Sequence, residues 1–157
     1  MSEIYDIETY EPRRGVGYLI NRVKAEMLAV VDRELTADDQ LGPLEVSSAQ
    51  FVILATLSSG GQKSASDLCK GISYDAGAMT RMIDRLEDKG LLQRTRSPED
   101  RRLVYLELTD AGKAAFPRMR EISLRVLNRF LRGFSKAEAR QLEAYLLRML
   151  ENAPSGA

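Results

Sequence analysis

Apolar residues recur at steps of three and four between residues 13 and 38. They are Val16, Leu19, Ile20, Val23, Met27, Val30 and Val31. This spacing places the side chains on one face of an α-helix. The pair Gly42-Pro43 then ends the pattern, as a helix breaker does. The next stretch, "SAQFVILATLSS", is apolar on most faces and predicts a buried helix, capped by Ser47 or Ser48 and closed by Gly60-Gly61.

Two short helices are predicted in quick succession over residues 64–89. Ser64 and Asp67 have the spacing of a capping box, which opens a helix of about two turns. A glycine ends it, and Ser73 can cap the second helix, with Asp75 in its first turn. Two helices joined by a glycine turn are typical of a helix-turn-helix, although any αα-hairpin has the same pattern.

The second of these helices, over residues 73–89, has an apolar and a polar face. The apolar stripe consists of Met79, Met82, Ile83 and Leu86. The opposite side consists of Gly77, Arg81, Asp84 and Asp88, flanked by Ser73, Thr80 and Arg85. A glycine there costs roughly 1 kcal/mol relative to alanine, but it would let the backbone approach a DNA groove while Arg81 reaches a guanine edge or a phosphate. The alternative is a solvated face with ion pairs among these arginines and aspartates.

A β-hairpin is predicted next, because "LLQRTR" and the following apolar run alternate around a charged turn. On the return strand, one face consists of Val104, Leu106 and Leu108. The turn contains Ser97, Pro98, Glu99, Asp100, Arg101 and Arg102. A helix-turn-helix followed by a hairpin is a winged helix. With the second helix in a major groove, the arginines of the wing could enter the flanking minor groove.

Two further amphipathic helices are predicted over residues 109–132 and 135–151. Thr109 caps the first, and Ser135 caps the second in a capping box with Glu138. Pro117 should kink or interrupt the first helix. Neither helix has a partner inside a small winged-helix core, so packing with residues 13–38 in a core shared across a two-fold axis is the economical solution. The alternative is a three-helix cap on a monomer.

Charge and composition limit the function. The formal net charge is zero, from 23 basic and 23 acidic residues, so a nucleic-acid site requires local clustering. Residues 60–103 hold nine basic and seven acidic side chains. The absence of histidine and the single Cys69 exclude histidine-dependent catalysis, histidine-ligated metals and an internal disulfide. No apolar run approaches ~20 residues. We therefore expect a cytoplasmic protein without enzymatic activity, metal or cofactor.

The run "ASDLCKGISYDAGAMTRMIDRLEDKGLLQRTRSPEDRRLVYLELTDAGKAAF" resembles the core of the MarR (multiple antibiotic resistance regulator) family, chiefly in "GAMTRMIDRLEDKGLL", "SPEDRR" and "LELTDAG". The resemblance implies a homodimeric transcriptional regulator, usually a repressor, that binds a palindromic operator. It also implies release by small, often aromatic, anionic ligands. By position, Gly77, Thr80 and Arg81 would face the groove. Asp100 would support the wing, and Arg101 or Arg102 would enter the minor groove.

These observations predict a mainly α fold with a small β-hairpin. Residues 1–40 would form a dimerisation helix with an acidic extension, 41–108 the winged helix-turn-helix, and 109–157 further dimerisation helices. The predicted residues that contact double-stranded DNA are Ser64, Ser66, Ser73, Gly77, Thr80, Arg81, Arg85, Asp100, Arg101 and Arg102.

Two alternative functions remain open at this point. Cys69 could make the protein a redox-responsive regulator, although a buried free cysteine more often acts as a small apolar residue. The winged helix could also bind only protein partners.

Overall fold

The structure, a computed structural model, describes residues 4–61, 63–72, 74–98, 100 and 102–154. Over these residues the chain is mainly helical, with a two-stranded antiparallel hairpin. The helices are α1 (Val16–Ala37), α2 (Ser48–Ser58), α3 (Ala65–Gly71), α4 (Ala76–Asp88), α5 (Asp110–Phe130) and α6 (Lys136–Glu151). The strands are β1 (Leu92–Arg96) and β2 (Val104–Leu108). This order confirms the predicted fold class.

Local hydrogen bonds fix most helix starts. Capping boxes open α2, α3 and α6, with the N-cap residues Ser47, Ser64 and Ser135. In each box the serine hydroxyl accepts a hydrogen bond from a backbone N–H three residues later, and that residue's side chain accepts one from the serine N–H. The helix α1 begins at Val16, three residues later than predicted, and its N-cap residue Gly15 provides no side-chain cap.

One apolar core joins the second half of α1 to α2, α4 and α5. Its buried side chains include Val31, Leu35, Ile53, Leu54, Met79, Ile83, Leu86, Met119, Ile122 and Val126. The helix α2 contributes side chains from several faces, as expected for a buried helix. Because the core holds α4 from behind, the direction in which its polar face points is fixed.

The hairpin pairs Leu92 with Leu108 at its base and Arg96 with Val104 near its tip. The segment before α3 adds to this sheet, because the N–H of Leu106 donates to the carbonyl oxygen of Lys63 at 2.8 Å. The start of the helix-turn-helix is therefore joined directly to the wing.

The loop between α4 and β1 is bonded to the start of α5. The Thr109 hydroxyl donates to the carbonyl oxygen of Gly90 at 2.5 Å, and its N–H donates to that of Leu91 at 3.2 Å. The same hydroxyl accepts from the N–H of Gly112 at 3.1 Å, which confirms Thr109 as the cap. A Cβ added at Gly112 would lie 2.0 Å from the carbonyl oxygen of Leu91. Only glycine allows this close approach of two backbones.

The end of α4 is also bonded to the segment that follows α1. The Lys89 ammonium donates to the carbonyl oxygens of Leu44, at 2.8 Å, and of Glu45. Hydrogen bonds therefore hold the end of α4 from two directions.

An open apolar groove of about 840 Å³ lies between the first half of α1 and α6. Its lining includes Val16, Leu19, Ile20, Val23, Met27, Leu142, Tyr145, Leu146 and Met149. No residue of α6 is buried. The apolar face of α6 thus lies outside the core described above.

The helix α5 runs without a break through Pro117, so the predicted interruption is wrong. Proline removes the hydrogen bond to the carbonyl four residues earlier. The burial of Met119 and Ile122 directly after it compensates, since tertiary packing supplies most helix stability. Over the described ranges, no helix is long and apolar enough to cross a membrane.

Candidate nucleic-acid interface

The helix α4 is capped by Asp75, whose carboxylate accepts a hydrogen bond from the N–H of Ala78 at 2.8 Å. The helix therefore starts at Ala76, and the prediction that Ser73 caps it is wrong. Serine and aspartate are both good N-cap residues, but here the Asp75 carboxylate accepts the hydrogen bond from the N–H of Ala78. Ser73 itself lies outside the described residues.

The two faces of α4 are as the sequence predicts. Met79, Ile83 and Leu86 are buried, and Met82 is half-buried. The opposite face is exposed and consists of Gly77, Thr80, Arg81, Asp84, Arg85 and Asp88. The Thr80 hydroxyl donates to the carbonyl oxygen of Ala76 at 2.8 Å, which leaves its oxygen as an acceptor and its methyl group exposed.

The side chain of Arg81 lies next to Gly77 on the same exposed face of α4. A Cβ built at Gly77 would lie 3.5 Å from Nη1 of Arg81 and 3.2 Å from Oδ1 of Asp75. Within the part of the chain that the structure describes, neither Arg81 nor Arg85 forms an ion pair with the aspartates of α4. The alternative interpretation of this face of α4, a solvated surface stabilised by its own ion pairs, therefore lacks those ion pairs.

Arg94 on β1 binds two carboxylates of α4. Its Nη2 lies 2.6 Å from Oδ1 of Asp84, and its Nη1 contacts Oε2 of Glu87. The hydrogen bond to Asp84 raises the pKa of Arg94, with the charge of Glu87 adding to the effect. This contact was not predicted from the sequence, although the alternation offered a signal: Arg94 pairs across the hairpin with the buried Leu106, at a position where an apolar residue is expected. These two ion pairs join the hairpin to α4.

The tip of the wing is held by Asp100, as predicted, but through the backbone. Its carboxylate accepts from the N–H of Arg102 at 2.9 Å, and its own N–H donates to the Ser97 hydroxyl at 3.2 Å. The side chain of Arg102 is exposed. Arg102 forms no ion pair with Asp100 through its side chain, and Arg101 lies outside the described residues.

The start of α3 carries the remaining predicted contacts, Ser64 and Ser66. The Ser64 hydroxyl already donates to Asp67 at 2.7 Å and accepts from its N–H at 3.2 Å. The hydrogen bonds that the Ser64 hydroxyl and N–H donate to the Asp67 carboxylate lower the pKa of Asp67. Ser66 is exposed in the first turn, so of the two serines its hydroxyl is the more accessible.

A second feature near the interface is a cavity of about 720 Å³ between the end of α2, β2 and the start of α5. Phe116 and Lys113 line it, with Glu107 and Asp110. Behind it, the rings of Phe51 and Phe116 stack with centroids 5.8 Å apart. The cavity is therefore placed between the wing and the long helix α5.

Cys69 is half-buried and packs against the core. This environment fits a small apolar residue. Within the described ranges, no group of three or more cysteine and acidic side chains could hold a metal ion.

Comparison with known proteins places this geometry among DNA-binding regulators. Residues 46–104 match the model of the MarR family. The uncharacterised HTH-type transcriptional regulator YdgJ of Bacillus subtilis is 34% identical over 107 residues, 68% of this chain and 65% of its own length. The match to the Escherichia coli MarR sequence covers 61% of that protein. The chain thus spans a little under two thirds of the length of these relatives.

Solved structures extend the likeness over most of the chain. Bordetella bronchiseptica BpsR, whose DNA binding is regulated by 6-hydroxynicotinic acid, is 28% identical, with a TM-score of 0.76 over 92% of this chain and 99% of its own. A mutant of E. coli MarR in complex with operator DNA is 29% identical, with a TM-score of 0.72 over 86% of this chain and 92% of its own. The sequence motifs, the winged helix and these relatives agree, and the chain belongs to the MarR family.

Proposed function

We propose that this protein is a cytoplasmic transcriptional regulator, a repressor that binds a palindromic DNA operator as a homodimer. The observation that carries the proposal is the outer face of α4. It exposes Gly77, Thr80 and Arg81, while the opposite face is fixed in the core. A major groove about 12 Å wide admits such a helix.

Each of the three residues has a distinct role in this proposal. Gly77 lets the helix backbone approach the base edges, because it carries no side chain. Arg81 binds a guanine edge or a phosphate with its guanidinium. Thr80 uses its hydroxyl proton within the helix, so it offers its oxygen to a base amino group or its methyl to a thymine methyl.

The wing supplies the second contact. Because Arg94 of β1 pairs with Asp84 and Glu87 of α4, these ion pairs favour one orientation of the wing relative to α4. The tip arginines Arg101 and Arg102 then meet the phosphates and the minor groove beside the major-groove site. That groove distinguishes only A·T from G·C pairs and its own width.

The homodimer would cover the groove between α1 and α6. Exposed apolar side chains of both helices, such as Leu19, Ile20 and Leu146, line this groove. They form one continuous apolar surface, of the kind that marks a protein–protein contact. A two-fold axis through this surface would present two copies of α4 to successive major grooves. Half-sites about 10 bp apart, centre to centre, are then expected.

A small aromatic anion is the proposed effector, bound in the cavity between α2, β2 and α5. Lys113 would attract the anionic group and Phe116 would contact the ring. Glu107 also lines this cavity, and Asp110 lies 3.7 Å from the Lys113 ammonium, so the anionic group would replace Asp110 as the partner of Lys113. To release DNA, the ligand must bind the DNA-free form more tightly than the bound form.

Fluorescence anisotropy with labelled DNA that flanks the protein's own gene tests the DNA-binding proposal. We expect Arg81→Ala to weaken binding by ~1–3 kcal/mol and to relax the preference at one operator position. Arg33→Ala, at an exposed arginine of α1, is the matched control and should bind as the native protein does. Native affinity in the Arg81 variant, or no DNA binding by the native protein, contradicts the proposal.

Salt titration tests the wing separately. Replacement of Arg101 and Arg102 by alanine should weaken binding to specific and unrelated DNA alike, and lower the salt slope by about one to two. If the slope and the non-specific affinity stay unchanged, the hairpin does not bind DNA, and a protein-binding function gains support.

The effector proposal is tested with aromatic carboxylates, including 6-hydroxynicotinate, at millimolar concentration in the same assay. We expect them to lower operator affinity in the native protein but not in Lys113→Met. Unchanged operator affinity in the native protein shows that this ligand class is wrong.

A further inference from the structure

Residues 4–15, here called the N-terminal segment, are folded onto the start of α1. The Tyr5 hydroxyl accepts a hydrogen bond from the N–H of Val16 at 3.0 Å and so caps the helix. The rings of Tyr5 and Tyr10 meet edge to face, with centroids 5.1 Å apart. Tyr10 covers Gly15, where a Cβ would lie 2.8 Å from the ring. The segment is therefore a defined structure attached to the first turn of α1.

This structure exposes its apolar residues. Ile4 and Ile7 are each 93% exposed. A turn presents Ile7, because the N–H of Glu8 donates to the Asp6 carboxylate at 2.8 Å and the N–H of Tyr10 donates to the Asp6 carbonyl at 2.8 Å. Both isoleucines are therefore accessible to a partner.

The position of the segment indicates what that partner is. It is attached at Val16, which also lines the apolar groove between α1 and α6. The segment that carries the two isoleucines is thus attached next to the end of the groove at which α1 begins. A second copy of the chain that covers the groove would meet this extension as well.

Charge complementarity agrees with a second copy. Asp6 and Glu8 flank Ile7, and over the described residues they form no ion pair. Residues 110–132 carry six basic and two acidic side chains. Among them, Arg120 and Arg132 form no ion pair within the part of the chain described by the structure. The other four basic residues are ion-paired within the chain, so an acidic turn on one copy can bind Arg120 of α5 and Arg132 just after α5 on another.

We propose that the N-terminal segment is a dimerisation strap, in which Ile4 and Ile7 pack on the second copy and the acidic turn faces α5 of that copy. The proposal rests on the homodimer proposed above and assigns a function to the acidic extension. It also predicts that the interface is larger than the groove of α1 and α6 alone.

Subunit dissociation measured by sedimentation equilibrium tests the strap. The Ile4→Ser/Ile7→Ser double variant keeps both tyrosines, and should weaken the dimer by roughly 100-fold or more, because each dimer would bury four of these side chains. The matched control is Leu103→Ser, which also replaces an exposed apolar side chain by serine, at a position of the wing that is 44% exposed. It should leave dissociation unchanged.

A third variant separates the two proposals. Leu19→Asp places a charge in the groove and should dissociate the dimer. If Leu19→Asp dissociates the protein but the isoleucine variant does not, the strap is wrong and the homodimer stands. If the native protein is a monomer at micromolar concentration, both proposals are wrong.

A photo-crosslinker at position 7 gives an independent readout. In a mixture of ¹⁴N- and ¹⁵N-labelled subunits, the strap predicts cross-linked peptides that join light and heavy chains. Cross-links confined to single chains contradict it.

Discussion

Replacement of Gly112 by alanine tests how closely the start of α5 packs on the loop after α4. The added Cβ would lie 2.0 Å from the carbonyl oxygen of Leu91 and 3.0 Å from its carbonyl carbon. Both are backbone atoms, so no side chain can rotate away. The two segments must therefore separate by more than ~1 Å to reach an ordinary carbon–oxygen contact.

The separation disturbs three hydrogen bonds made by Thr109, to Gly90, Leu91 and Gly112. Loss of a helix cap costs about 1 kcal/mol, a lost hydrogen bond about as much, and overpacking about 1–3 kcal/mol. Alanine returns up to about 1 kcal/mol through its higher helix propensity. We expect a net loss of about 2–4 kcal/mol, a large part of the ~5–15 kcal/mol that stabilises a typical protein.

Urea unfolding followed by circular dichroism measures this loss. The native protein and the variants are compared at one protein concentration, because the stability of a dimer, as proposed for this protein, depends on concentration. Gly17→Ala is the matched control, since a Cβ at Gly17 meets no other atom of the chain within 4 Å, and it should not lower stability. If Gly112→Ala unfolds within about 0.5 kcal/mol of the native protein, the inferred backbone contact is wrong.

Three further outcomes are expected. Gly77→Ala should leave urea stability nearly unchanged. It should weaken operator binding several-fold in an anisotropy assay, because the new methyl group would lie between the helix backbone and the major groove of the DNA, next to Arg81. Arg94→Gln should cost no more than about 1 kcal/mol of stability, since its ion pairs are partly exposed, yet the same assay should show weaker binding because the wing is no longer fixed to α4. Hydrogen bonds from Ser64 lower the pKa of Asp67, so they stabilise the fold above the ordinary aspartate pKa and are lost as the pH falls through the lowered value. The difference in urea midpoint between Ser64→Ala and the native protein should therefore shrink from pH 7 to pH 3.

Features that depend on residues three or four apart could be predicted from the sequence. The capping box of Ser64 with Asp67 needs only a serine and an acid at the correct spacing. The buried stripe through Met79 and Ile83 needs only the helical period. Both are therefore independent of the rest of the fold, and both were predicted with the correct residues.

Features that depend on distant segments could not be predicted in this way. Asp75 replaces Ser73 as the cap of α4, although the local sequence permits either. Pro117 is tolerated because the core holds the helix on both sides of it. The ion pairs of Arg94 with α4 require the hairpin to fold back onto the helix, and the need for a glycine at position 112 arises only when Leu91 packs against it.

The hydrogen bonds at the end of α4 also limit how such a protein can be recombined. Lys89 is bonded to the segment after α1, and the following loop is bonded to Thr109 at the start of α5. A chimaera that transfers the DNA-binding specificity of one relative to another therefore has to carry both attachment points with the recognition helix. Under the function proposed above, adaptation to new bases can arise on the outer face of α4 alone, whereas a new distance between half-sites would require changes in α1 and α6 of the proposed dimer.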